Sequence, residues 1–190
     1  MFYIGVDLGQ TRDYSAIAVV QKESVRKENA LPPHLLVRRV ERIALGTPYP
    51  LVAARIRALT HEHPFYGRCA LAVDATGVGA PVVDMLREPG LACDLAAVTI
   101  TGGTRESRRG YLHFNVPKRD LISGVQLALE KGLLRIAGGM KEAASLIGEL
   151  TAMQIGASTG EHDDLVLALA LACWRARRKS VWGGGRLPGI

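Results

Sequence analysis

Two apolar runs in this chain end the same way. Residues 2–7, FYIGVD, and residues 69–74, CALAVD, each close on an aspartate that leads into a Gly-containing turn, "IGVDLGQT" in one case and "LAVDATGVG" in the other. Short apolar runs bounded by turns read as buried strands. Aspartate is a poor strand former and is costly to bury without a partner. A fold that keeps both runs must therefore place two carboxylates at strand ends. If the two strands are neighbours, Asp7 and Asp74 stand side by side at one end of a sheet. A third acidic position, Asp163-Asp164, opens an apolar helical run. A helix starting over that sheet end brings Asp164 within reach of the other two.

The remaining elements follow from periodicity and turn residues. Ser15–Gln21 reads as a strand joined to the first by the turn Leu8–Tyr14, with Gly9 available for positive φ. A polar connection, Lys22–Pro33, leads to a third strand over Leu35–Leu45. A helix begins at Pro50, the Asp74 strand follows, and a helix over Val82–Arg87 closes at Pro89-Gly90. Leu95–Ile100 is a fifth strand. Thr101–Asn115, polar, Gly-rich and basic, reads as a loop or protruding hairpin. Helices are expected from Pro117 to about Lys131, over Met140–Met153 and over His162–Arg177, with a short strand at Leu133–Ile136 and a turn at Gly156–Gly160. Antiparallel strands first, then α/β crossovers, predict an α/β fold: a mixed sheet with helices on both faces. The domain is expected to span residues 1–177, and the Gly-rich, basic residues 178–190 to form a flexible tail.

A net charge of +6 and a pI near 9.5 point to an anionic partner, nucleic acid first. The three cysteines, Cys69, Cys93 and Cys173, lie in apolar runs without CxxC spacing and read as reduced, buried thiols of a cytoplasmic protein. No basic-then-apolar leader opens the chain. The longest apolar run, Leu165 to Trp174, falls short of the ~20 residues that span a bilayer, so no membrane partner is expected.

Like-charged carboxylates a few ångströms apart repel and shift one another's pKa. Divalent metal resolves the repulsion, and hard oxygen donors suit Mg²⁺ or Mn²⁺. Two such ions can clamp the attacking and leaving oxygens of a phosphodiester. Taken singly, Asp7 and Asp74 fit turn-capping residues and Asp163 or Asp164 a helix cap. Adjacent helix positions are rotated by about 100°, so only one of the pair faces the sheet squarely. Asp164 is the favoured ligand.

The ordered segments "GVDLGQTRDYSAIAVV", "LAVDATGVGAPVVDMLRE", "VPKRDLISGVQLALEKGLLRI" and "HDDLVLALALACW" resemble the nuclease domain of the large terminase subunit of tailed bacteriophages, over about residues 4–174. The resemblance implies a ribonuclease H-like fold and a metal-dependent endonuclease that cuts double-stranded DNA during genome packaging in the bacterial cytoplasm. It implies catalytic Asp7, Asp74 and Asp164, and two divalent ions, Mg²⁺ or Mn²⁺, held by Asp7, Asp74, Asp163 and Asp164. It also implies a packaging ATPase domain, a portal and a small terminase subunit as partners. No G-x-x-x-x-G-K-[ST] loop is present, so the chain itself is not expected to hydrolyse ATP.

Arg105, Arg108, Arg109, Lys118 and Arg119 are candidate phosphate contacts near the carboxylates, against a reading as a solvated basic loop. Arg175, Arg177, Arg178 and Lys179 complement a helix C-terminus at least as readily as they meet DNA. His162 abuts the aspartates and is a candidate to orient one of them. "HEH" at 61–63 reads as a solvated turn. Three other functions remain open: a Holliday-junction resolvase of the same fold, a non-catalytic DNA-binding module, and an ATP-binding domain like that of actin and sugar kinases, whose phosphate loop "DLGQT" matches. The last fold duplicates its sheet and usually needs far more chain than 190 residues.

Overall fold

The computed structural model describes residues 1–9, 13–23, 33–77, 79–88, 90–154 and 163–178. His162, the turn at 156–160 and residues 179–190 of the tail lie outside this set.

Among the described residues thirteen elements follow one another. Strands β1 (Phe2–Asp7), β2 (Ser15–Lys22) and β3 (Leu35–Ile43) precede α1 (Tyr49–His61), β4 (Cys69–Asp74) and α2 (Gly79–Arg87). Then come β5 (Asp94–Thr101), β6 (Ser107–Arg109), β7 (His113–Pro117), α3 (Lys118–Glu130), β8 (Leu134–Ile136), α4 (Ala143–Gln154) and α5 (Asp164–Arg177). All the strands join one sheet in the order β6-β7-β5-β4-β1-β2-β3-β8. Strands β1, β2 and β3 pair antiparallel, while β4 is parallel to β1, β5 to β4, and β7 to β5. The predicted mixed α/β sheet is present.

Side-chain size sorts the two faces. Because strand residues alternate between faces, Ile4, Val6, Ile17, Val19, Leu71 and Val73 gather on one side with residues of α1 and α2. On the other side the strands offer Ala16, Ala18, Ala70, Ala72 and Ala96 to α5. Small residues let the helix come close. At Gly5 the approach reaches its limit, since a Cβ there would stand 2.0 Å from the Ala168 carbonyl oxygen. Helix α5 is buried from Asp164 to Ala176, as its all-round apolar sequence predicts, and α3 and α4 cover it.

Four expectations are corrected. The Thr101–Asn115 segment is a hairpin, since β6 and β7 pair antiparallel, but it does not protrude: β7 adds to β5 in parallel and β6 closes the sheet edge. Phe114 and Val116 are buried, and their alternation supplies the strand signal within a polar stretch. Pro117 ends β7 and caps α3, whose first residue is Lys118. Helix α2 begins at Gly79, earlier than Val82. Gly9 is needed for space rather than for positive φ, because a Cβ there would meet the Asp13 carbonyl oxygen at 2.2 Å.

Candidate active site

The parallel register that pairs Val6 with Val73 makes Asp7 and Asp74 neighbours at the ends of β1 and β4. Alternation puts Asp7 on the face of Tyr3 and Gly5, and Asp74 on the face of Ala70 and Ala72, which is the α5 face. Asp164, Ala168 and Ala172 recur every four residues and so share one side of α5. Ala168 and Ala172 lie over Gly5. One turn back along α5, about 5–6 Å, stands Asp164; two residues onward along β1, about 6.6 Å, stands Asp7. The tight helix–sheet contact thus brings the two carboxylates together. Both are buried, at 7% and 5% exposure.

Charge in this corner is poorly balanced. The Asp7 carboxyl is pushed well above the ordinary range, first by burial and then by the negative charges of Asp74, Asp164 and Asp163, with only Lys118 opposing. Asp74 is raised by burial, against hydrogen bonds from Thr76 that favour its ionised form. Its Oδ1 accepts from the Thr76 backbone N–H at 2.8 Å and from the Thr76 hydroxyl at 2.5 Å. Ile100 N–H in turn donates to that hydroxyl at 2.9 Å, tying the turn to β5. Asp74 is therefore a turn-capping residue as well as a member of the cluster, and the two readings of it coexist.

The acidic pair at 163–164 divides as helix geometry requires. Asp163 occupies the N-cap position of α5 but makes no capping bond. Its Oδ2 accepts a hydrogen bond from Lys118 Nζ at 2.6 Å, with 39% of the Asp163 side chain and 51% of the Lys118 side chain exposed. The capping comes from Glu149 on α4, whose Oε2 accepts from Val166 N–H at 3.1 Å. Arg42 of β3 pairs with the other oxygen. Burial raises the Glu149 pKa, with Asp164 adding to the effect and Val166 and Arg42 opposing it. Sequence reading missed Glu149. Its signal was there: it is the only charged residue in the α4 sequence AASLIGELTAMQ.

Among the described residues, no group of three His, Cys, Asp or Glu side chains stands close enough to grip a metal ion as it is. The donor set nevertheless fits a hard divalent cation. It consists of carboxylates, the buried Asp7 is surrounded by like charge, and a cation is what that charge lacks.

The basic candidates sit differently from one another. Lys118 alone touches an aspartate of the cluster. Arg108 pairs across to Phe114, which pairs with Val98, which pairs with Asp74, so its backbone lies three strand spacings, about 14 Å, from Asp74. The Arg108 guanidinium stacks on Tyr111 and Phe114 and donates to the Tyr111 carbonyl at 2.7 Å. Arg119 donates to Asp120 and to the Thr104 carbonyl, while Arg105 and Arg109 are exposed.

Of the cations expected to complement the far end of α5, Arg175 and Arg178 have side-chain partners. Arg175 is buried against Asp94, and Arg178 pairs with Glu106. The HEH stretch ends α1 in a turn with both histidines exposed, and its half-exposed Glu62 also accepts from Arg39 and Arg55. All three cysteines are free, and Cys93 is only partly buried.

A mixed sheet with an antiparallel start, its central parallel strands ending in carboxylates beneath a buried helix, defines the ribonuclease H-like class. The chain belongs to the terminase RNaseH-like domain family, whose model matches residues 4–175. In fold it is similar to the large terminase nuclease from thermophilic phage G20c, at 21% identity and TM-score 0.54, over 90% of this chain and 80% of that one. It is also similar to the human cytomegalovirus terminase nuclease domain, Mn soaked, at 13% identity and TM-score 0.57, over 91% and 83%. A third likeness is to the g2p (large terminase) nuclease domain from bacteriophage SPP1 with bound Mn, at 10% identity and TM-score 0.52, over 92% and 86%. No curated protein matches the sequence. The described strands form one sheet, not the duplicated pair of an actin- or sugar-kinase-like domain. Among the described residues no helix is long and apolar enough to cross a membrane.

Proposed function

We propose that this chain is a divalent-metal-dependent endonuclease that cleaves double-stranded DNA, and that it serves phage genome packaging in the host cytoplasm. The observation that carries the reading is the meeting of Asp7, Asp74 and Asp164 at one sheet end in a chain of the terminase RNaseH-like family. Two nuclease domains of similar fold, the Mn-soaked cytomegalovirus domain and the SPP1 domain with bound Mn, add support.

Asp7, Asp74 and Asp164, with Asp163 beside them, would hold two ions, Mg²⁺ or Mn²⁺. When bound, such ions supply an activated water and stabilise the leaving oxygen. The chain's own part is to present the carboxylates. Thr76 fixes the rotation of the Asp74 carboxylate, and Glu149 with Arg42 anchors the backbone that carries Asp164. Arg105, Arg108, Arg109, Lys118 and Arg119 are the proposed phosphate contacts, and such contacts position the duplex without reading its sequence. Residues 1–177 act as one nuclease domain. His162 is retained as a group that orients an aspartate. A packaging ATPase domain, a portal and a small terminase subunit are the proposed partners.

Purified protein is expected to nick and linearise plasmid with Mn²⁺ or Mg²⁺ and to be silent in EDTA. Cleavage in EDTA refutes the metal scheme. Tight DNA binding with no cleavage under either ion makes the chain a binding module, and strong preference for four-way junctions over linear duplex makes it a resolvase.

A further inference from the structure

Among the described residues, Lys118 is the cation that enters the carboxylate cluster. It opens α3 directly after Pro117, the last residue of β7, so the sheet itself delivers its side chain to the acidic end. The ammonium donates to Asp163 at 2.6 Å and at the same time counters the charge felt by Asp7. Its side chain is half exposed, and exposed ion pairs of this kind contribute little, so the contact is inexpensive to break. Asp163, for its part, makes no capping bond that would hold it to α5. Both partners are tied to each other and to little else among the bonds described.

Building on the metal-nuclease reading, we propose that Lys118 is an exchangeable counter-ion. In the metal-free protein it holds Asp163 and screens the cluster. It yields Asp163 when a divalent ion is taken up, and its freed ammonium then meets a phosphate of the DNA. Lys118 thus opposes metal binding in the absence of DNA and supports DNA binding once metal is present. A lysine suits the exchange better than an arginine, because its compact ammonium sits on a flexible stem and makes no planar two-point grip on a carboxylate.

The test uses the full chain and two measurements. Calorimetric titration with Mn²⁺, without DNA, should find that Lys118→Met binds about tenfold more tightly than the wild type, since one positive charge near the ions is removed. Arg135→Met, an exposed charge on the edge strand β8, should stay within about twofold of the wild type. Duplex binding is then measured in EDTA and in Ca²⁺. Lys118→Met should match the wild type in EDTA, where Lys118 is occupied by Asp163, and should bind several-fold more weakly in Ca²⁺. Mn²⁺ affinity that is unchanged or weaker in Lys118→Met overturns the proposal, as does an equal loss of DNA affinity with and without Ca²⁺. Asp7→Asn separates the two levels of the account. If the wild type binds no Mn²⁺ and Asp7→Asn changes nothing, the metal-nuclease reading falls and the exchange with it. If Asp7→Asn abolishes a real Mn²⁺ site and Lys118→Met fails to tighten it, the exchange alone is wrong.

Discussion

Helix α5 has two ends that handle charge in opposite ways. At the C-terminal end Arg175 and Arg178 each have an opposite partner. Arg175 and Asp94 form a pair with 5% and 10% of their side chains exposed. Glu106 accepts from Arg178 with one oxygen and from Trp174 Nε1, at 3.1 Å, with the other. The Arg178 guanidinium lies 4.7 Å from the ring centres of both Phe114 and Trp174. At the N-terminal end Asp7, Asp74, Asp163 and Asp164 face one another, and burial and mutual repulsion raise Asp7 well above its ordinary pKa. Folding alone gains nothing from that crowding, which makes the two ends a contrast between a structural device and a functional one.

Removing one member of the C-terminal pair gives the largest expected effect on stability. Arg175→Met leaves Asp94 buried without its partner and is expected to cost about 3–5 kcal/mol in denaturant unfolding. Cleavage per folded molecule should persist, because the pair lies at the other end of the helix. A small loss of stability, or a selective loss of cleavage, would break the contrast.

Glu149 sharpens it. Glu149→Ala removes the acceptor for the α5 N-terminus, a loss of about 1–2 kcal/mol on the scale of capping residues. Partners that fix ligands typically matter by about 10–100-fold, so Mn²⁺ affinity and cleavage should fall within that range. Glu149→Gln keeps a carbonyl acceptor and should recover much of the stability. A variant that loses stability with Mn²⁺ affinity intact would make Glu149 a cap only.

The smallest effect is on pH dependence. A raised folded-state pKa means that the folded protein holds the Asp7 proton more tightly than the unfolded chain does. Metal-free stability attributable to Asp7 is therefore lost as pH rises from the ordinary aspartate range, about 4, through the raised value. Asp7→Asn removes that loss. The Tm of the variant minus that of the wild type should be near zero below pH ~4 and grow as pH increases. A flat difference would mean that Asp7 is not crowded.

How far these features were legible depended on the range of the interactions behind them. Asp7 and Asp74 were visible because each ends a short apolar run, and strand alternation is a local rule. The close seat of α5 was also written locally, in Gly5 and in the alanines that alternate along β2 and β4, although it acquires meaning only once those strands lie side by side. Strand β7 was hidden by the Gly-rich, charged residues around Phe114 and Val116. Arg175 was misread because its partner is 81 residues away, and Arg42 and Glu149 are 107 apart. Ion pairs over such separations leave no periodic trace. Helix geometry let only one of Asp163 and Asp164 face the sheet squarely, and Asp164 is the buried one, whereas the cap expected from one of the pair comes from an acid on another helix.

The central claim is that the carboxylates at the α5 N-terminus are kept for chemistry at no gain in stability. The direct measurement is the Asp7→Asn variant, with plasmid cleavage in Mn²⁺ and Tm in EDTA recorded on one preparation near pH 7. The account predicts that cleavage is abolished while Tm stays equal to that of the wild type or rises, because repulsion from Asp74, Asp164 and Asp163 is relieved. Normal cleavage, or a clear drop in Tm, would show that Asp7 is a structural strand-end residue and would contradict the claim.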